Sequence, residues 1–174
     1  MTQSSYAWEI LINISNIQFQ AQKATENDIF CHLRECDSNF IPPLSSRVLL
    51  KDYARKIFKK AVTFEAWSDG VLVGLIAAYF DISDNISGYI TNVSILNSYM
   101  KMGIAGKLIK HCMGYAKQHG FDEIRLEVNA SNNLAIQLYR KFGFMTLGIK
   151  DDFMLMSVSG LKDRMNVVVS VYVG

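Results

Sequence analysis

Apolar and polar residues change their period several times along this chain, and each change marks an element. Residues 17–24 (Ile-Gln-Phe-Gln-Ala-Gln-Lys-Ala) alternate, with Ile17, Phe19 and Ala21 on one side, and predict a strand. Thr25 is placed to cap a helix, with Glu26 and Asp28 in the first turn and Ile29, Phe30, Leu33 and Cys36 following. Asp37-Ser38-Asn39 breaks it, and the paired prolines of Phe40-Ile41-Pro42-Pro43-Leu44 forbid helix interior. A second helix is predicted over 47–60, striped by Leu50, Tyr53, Ala54, Ile57 and Phe58, with Arg55, Lys56, Lys59 and Lys60 making its second half basic. The runs 62–67 and 71–80 flank Ser68-Asp69-Gly70 and predict a hairpin. Its second arm is apolar throughout, which predicts a central strand covered on both faces.

After a polar turn over 81–87, residues 88–96 predict the next strand. A helical stripe then runs through Ile104, Leu108, Cys112, Tyr115 and Ala116 and stops at His119-Gly120. Gly114 inside it costs about 1 kcal/mol against Ala, which close packing would explain. Residues 122–129 predict a strand with Ile124, Leu126 and Val128 inward. Ser131 is expected to cap a short helix carrying Ala135, Leu138, Tyr139 and Phe142, and 144–149 with 153–158 predict a closing strand pair. The stretch 167–173 is uncharged and rich in β-formers, so it must be paired or buried.

Composition narrows the class. The chain has 174 residues, 50% hydrophobic and 20% charged, which predicts one domain spanning 1–174. Its core is expected over 17–158, with 1–16 and 160–174 as possible extra edge strands, in a monomer or homodimer. A net charge of +2 gives no reason to expect nucleic acid or an acidic membrane as partner. The apolar run 8–14 is too short to cross a bilayer. Cys31, Cys36 and Cys112 are odd in number and lack metal spacing. They read as small hydrophobes in a reduced, cytoplasmic chain with no metal. His32, His111 and His119 sit on helices or helix ends, where surface or capping roles are expected.

The candidate chemistry centres on the turn Lys101-Met102-Gly103-Ile104-Ala105-Gly106-Lys107. It ends a strand and opens a helix, so small residues and helix-terminal N–H groups meet there, a seat for phosphate. A Walker loop is excluded, because Leu108 stands where Ser or Thr should hold magnesium and Lys101 where the first Gly belongs. A dinucleotide fingerprint is excluded, because Ala105 replaces its second Gly and the turn lies past mid-chain.

In order and spacing, four stretches resemble the GNAT superfamily of acyl-CoA-dependent N-acetyltransferases: Asn92-Val93-Ser94-Ile95, Gly103-Ile104-Ala105-Gly106, Leu126-Glu127-Val128-Asn129-Ala130-Ser131-Asn132, and Ala135 to Phe144. The resemblance covers residues 17–158. It implies an α/β (α+β) fold with a mixed sheet of about seven strands, split between the fourth and fifth, and about four helices. It also implies acetyl-CoA as co-substrate, held by free backbone groups at Val93 and Ile95, by the loop Lys101, Met102, Gly103, Ile104, Ala105 and Gly106, and by Asn132. Met100 stands where the family has Gln or Arg. Tyr139 resembles the family's proton donor to the leaving thiolate. Glu127, whose place in the strand is opposite to Leu126 and Val128, resembles the base of bacterial ribosomal-protein N-terminal acetyltransferases. Burial at the split is expected to raise its pKa. A non-catalytic acyl-CoA sensor is the rival from another class.

For the acceptor, two readings compete. Phe40, Pro43, Tyr89 and Asn129 are candidate substrate-binding residues, with Tyr79 as a further aromatic able to face a sugar ring. The proline-stiffened insert at 37–60 would tend to close a peptide groove, which favours a small-molecule amine, an amino sugar first. The alternative is a protein N-terminus.

Overall fold

Asp69 (φ 49°) and Gly70 (φ 77°) turn the chain back on itself, joining β2 (Val62–Ser68) to β3 (Val71–Phe80). Two central residues at positive φ make the turn whose twist suits a hairpin. The computed structural model, which describes residues 16–81 and 87–163, builds a seven-stranded sheet around this hairpin. With β1 (Gln18–Ala21), β4 (Ser87–Ile95), β5 (Glu123–Asn129), β6 (Met145–Lys150) and β7 (Phe153–Val158), the order is β1-β2-β3-β4-β5-β7-β6. Neighbours are antiparallel except β4 and β5. Four helices accompany it: α1 (Glu26–Cys36), α2 (Leu50–Lys60), α3 (Ile104–Gln118) and α4 (Asn133–Lys141). This is the mixed seven-stranded fold predicted from the sequence. The expectations for 1–15, 82–86 and 164–174 lie outside the described residues.

The sheet divides the core in two. On one face Leu108, Ile109 and Cys112 of α3 and Ile136 and Tyr139 of α4 join Ile76, Ile124 and Met156. On the other, Ile29 and Leu33 of α1 and Ala54 and Ile57 of α2 meet Leu72, Leu75 and Ala77. β3 feeds both, with Val73, Ile76 and Ala78 on the first side, which is why its sequence carries no polar alternation. Each large side chain buried there contributes about 1.5–3 kcal/mol. A Cβ at Gly74 would lie 2.9 Å from Ile104 Cγ2 and from Ile95 Cδ1, so only glycine lets the start of α3 press this closely on β3.

One buried carboxylate ties α1 to the sheet. Glu65 is fully buried. It accepts from the backbone N–H of Lys23 and Ala24 at 3.0–3.2 Å, from Thr63 Oγ1 at 2.6 Å and from Trp67 Nε1 at 2.9 Å. Gln22 at φ 55° turns those two amides inward, so β1 ends at Ala21 and not at Ala24. Thr25 and Asp28 then close a capping box that starts α1.

Several local expectations are corrected. α2 starts at Leu50, three residues late, because no side chain caps an earlier start, and Phe58 falls off its stripe, 51% exposed. Asn132, not Ser131, caps α4, accepting from Ala135 N at 3.2 Å, while Ser131 donates to Asn129 Oδ1. A Cβ at Gly114 would meet nothing within 4 Å, so close packing does not account for it. His32 is 3% exposed and belongs to the interior, not the surface. Cys36 and Cys112 are buried free thiols, as expected.

Replacing Glu65 by Ala strands the amides of Lys23 and Ala24 and the Trp67 indole. The expected loss is about 3 kcal/mol of unfolding free energy in denaturant titration, and a loss below about 0.5 kcal/mol would show that the carboxylate is not what holds α1.

Candidate active site

β4 and β5 are parallel partners only from Ser87–Glu123 to Ile90–Leu126. Beyond that point β5 continues against β7 as far as Asn129–Phe153, and β4 continues against β3 to Ile95–Gly74. The two strands part. The parting coincides with a bulge, since Ala77 pairs with Asn92 and Ala78 with Ile90, leaving Thr91 without an opposite. A bulge bends and twists its strand away from a straight partner. Tyr53 of α2 holds this one, its hydroxyl donating to the Thr91 carbonyl at 2.7 Å. Burial pushes the Tyr53 hydroxyl up to about 12.

The parting frees backbone groups. Leu96 N donates to Val73 O at 2.9 Å, so the groups of Leu96 and Ser94 address β3. Alternation turns those of Val93 and Ile95 into the gap. The bulge also changes which side chains share a face. Ile90 lies in the α3 core, whereas the Asn92 side-chain amide is 2.7 Å from Ser94 Oγ, which bonds His32 of α1.

A cavity of about 760 Å³ fills the gap. Its floor includes Tyr89, Asn92, Val93, Ser94 and Ile95, and its far wall Glu127, Asn129, Asn132 and Tyr139. One end is the loop of Lys101, Gly103, Ile104, Ala105 and Gly106. Gly103 caps α3 in the left-handed region (φ 78°), with nothing within 4 Å of where a Cβ would stand. The first amides of this 15-residue helix follow directly and have no intrahelical acceptor. Bare backbone, N–H donors and a helix N-terminus fit the pyrophosphate of CoA. Among the described residues no group of three or more His, Cys, Asp or Glu could hold a metal ion.

The other end lies between Phe40, Ile41, Leu44, Arg47 and Val48 and Phe153 at the start of β7. Arg47 sits over the Phe153 ring, 5.3 Å from its centroid, so the two walls touch. Tyr89 and Glu127 occupy this side. Burial first, then the Glu127 carboxylate, push the Tyr89 hydroxyl above its ordinary range. Tyr139 is 6% exposed, packs on Phe144, and is pushed up by burial alone.

Most candidate residues therefore meet in one cavity. Three do not. Pro43 is exposed and starts a 3-10 turn, handing its place to Ile41 and Leu44. Met102 turns its side chain against the α3 core. Tyr79 lies behind the bulge, outside the cavity lining, with its hydroxyl buried and Lys56 over its ring. Glu127 lines the cavity but is exposed, so the expected burial is not supplied. Asn129 lines it while its Oδ1 accepts from Ser131 N and Oγ, which shapes the turn into α4. Sequence reasoning missed Tyr53, Asn92 and Arg47. Tyr53 reads as stripe, Arg47 as helix, and only a bulge that no residue type announces brings Asn92 to the α1 face of the sheet.

Comparison with known proteins agrees with this geometry. Residues 27–144 match the family model described as Acetyltransferase (GNAT) family. The probable N-acetyltransferase san of Drosophila melanogaster is 33% identical over 90 residues, 51% of this chain and 49% of that protein. N-alpha-acetyltransferase 50 of Danio rerio is also 33% identical over 90 residues, 51% of this chain and 54% of that protein. The chain thus spans about half the length of these curated relatives. Among solved structures, the ribosomal-protein-S18-alanine N-acetyltransferase of Escherichia coli superposes with TM-score 0.70 at 18% identity, over 83% of this chain and 94% of that one. The PaiA N-acetyltransferase of Thermoplasma acidophilum, in complex with coenzyme A, superposes with TM-score 0.66 at 17% identity, over 82% and 99%. The fold, the split strands and the matched family model lead to one conclusion: this chain belongs to the GNAT family of acetyltransferases.

Proposed function

We propose that this chain transfers the acetyl group of acetyl-CoA to the α-amino group of a protein N-terminus, by direct attack in a ternary complex. The observation that carries the reading is the cleft between β4 and β5, with Tyr139, Glu127 and Tyr89 on the walls of one cavity. The names of the relatives, N-alpha-acetyltransferases among them, favour a protein amine over the small-molecule amine that the stiff insert first suggests. The insert itself contributes Phe40, Ile41 and Leu44 to one wall of the cavity, an apolar surface fit for the first side chains of a peptide.

Acetyl-CoA supplies the thioester whose carbonyl carbon the amine attacks. On the protein side, the amides of 104–106 and Lys101 hold the pyrophosphate, Asn132 meets the arm, and the free groups of Val93 and Ile95 pair with the pantetheine. An N–H from the opened strand also faces the oxyanion that develops. Glu127, exposed at the cavity wall, takes the ammonium proton through water, with the Tyr89 hydroxyl beside it. The N–C bond forms and the C–S bond breaks. Tyr139 gives its proton to the departing sulfur, and the proton shed by the new amide nitrogen returns through solvent. Burial keeps the Tyr139 hydroxyl protonated, as an acid must be.

Mass spectrometry of a panel tests the acceptor: N-terminal peptides should gain 42 Da, about the mass of one acetyl group, while amino sugars, amino acids and polyamines should not. Turnover of the small amines alone would reverse the reading, and turnover of nothing would favour the sensor. Tyr139→Phe should lower kcat about a hundredfold with acetyl-CoA KM within about twofold. An unchanged kcat would remove Tyr139 from the acid role. Cys112 is buried in the α3 core and burial pushes its thiol up, so Cys112→Ala should stay active with sequential kinetics. A ping-pong pattern lost in that variant would contradict direct transfer.

A further inference from the structure

One buried polar side chain in the floor of the cavity lacks a partner. Asn92 is 3% exposed, lines the cavity, and its Nδ2 has no hydrogen-bond partner. An unpaired buried amide costs about 1–3 kcal/mol, so its persistence at a binding surface calls for a reason.

The reason lies in a proton count. His32 Nδ1 is 2.8 Å from the Leu72 carbonyl, which only accepts, so Nδ1 carries a proton. In a neutral ring Nε2 is then an acceptor. Ser94 Oγ lies 2.9 Å from that Nε2 and 2.7 Å from Asn92 Oδ1. Its single proton cannot serve both. The network closes in one of two ways. Either His32 gains a second proton, or the Asn92 amide turns over so that its N–H meets Ser94 Oγ.

The first way puts a cation in the interior. Cys36 Sγ, 3.6 Å from Nε2, is the neighbour on its own helix; across from it stand the Leu72 carbonyl on β3 and the Ser94 hydroxyl on β4. None is an anion. Burial accordingly holds the His32 pKa below its ordinary value, against the raising effect of its two hydrogen bonds. The second way gives each proton of the network an acceptor without placing a charge in the interior. Asn92 donates to Ser94, Ser94 to His32 Nε2, and His32 Nδ1 to Leu72. The amide oxygen is then the unpaired atom at the cavity. The Tyr53 hydroxyl stands beside the Asn92 amide, but its proton goes to the Thr91 carbonyl 2.7 Å away.

We infer that Asn92 is an acceptor-binding residue: its amide oxygen, oriented by Ser94 and His32, accepts a hydrogen bond from an N–H at the amino end of the bound peptide. Ser94 and His32 are positioning residues that act through it. The inference rests on the reading that the cavity takes a protein N-terminus. It assigns specificity to a side chain one residue past the bulge, on the face shared with Tyr89 and Glu127.

Steady-state kinetics with a peptide and acetyl-CoA varied in turn provide the test. Asn92→Ala should raise peptide KM about tenfold, the loss of one hydrogen bond, with acetyl-CoA KM within about twofold. Ser94→Ala should raise peptide KM about threefold by freeing the amide, and Ser94→Thr, which keeps the hydroxyl, should restore it. If the wild-type protein acetylates the peptide and Asn92→Ala leaves its KM within about twofold, the inference fails and the functional reading stands. A parallel rise of both KM values would mark a merely structural role and also overturn it. If the wild-type protein turns over no peptide, both fall. Should Asn92→Ala not fold, the Ser94→Ala and Ser94→Thr pair decides alone, with thermal melting as the check on folding.

Discussion

Two strands that stop pairing at Ile90 and Leu126 make everything else in this site possible. A parallel pair carried through to Ile95 and Asn129 would consume the groups of Val93 and Ile95 and leave no gap. The parting is enforced from both sides. On β5, pairing with β7 continues without a break from Ile124 to Asn129, so that strand cannot follow β4. On β4, the bulge at Thr91 redirects the chain, and the Tyr53 hydroxyl fixes the carbonyl that the bulge exposes.

The surroundings are built to tolerate this opening. Freed backbone groups in a dry gap would cost about 1–3 kcal/mol each, which water or a polar ligand must offset. The rest of the sheet compensates by dense burial. β3 packs on both faces, and Glu65 anchors the entry to α1 through donors from backbone, Thr63 and Trp67. α1 matters to the site because it carries His32, whose ring meets Ser94 on the face of the sheet that α1 covers.

The fold was legible because its signals are local. Asp69-Gly70 demands positive φ, Thr25 with Asp28 makes a box, and the apolar run 71–80 fits only a doubly covered strand. The Gly103 loop was legible for the same reason, since Gly103 and the helix behind it are contiguous in sequence. The opposite end of the cavity was not. Pro43 was expected at the site and points to solvent, because a rigid loop presents only some of its residues inward and spacing does not say which. Phe58 was placed on a stripe by a helix phase three residues early. Asn92 and Ser94 look like polar strand residues facing water, and nothing in their neighbours reveals that a bulge puts them against α1. Tyr53 appears as one more helical aromatic until the Thr91 carbonyl is found beside its hydroxyl.

The central claim is that the opened strand and the loop after it hold acetyl-CoA. Amide hydrogen exchange followed residue by residue by NMR, with and without acetyl-CoA, tests it most directly. The account predicts new protection at Val93, Ile95 and the amides of 104–106, and little change at Ser94 and Leu96, which already address β3. Protection that spares Val93 and Ile95, or that appears instead along the groove lined by Gln18, Gln20, Trp67 and Gly70, would contradict it.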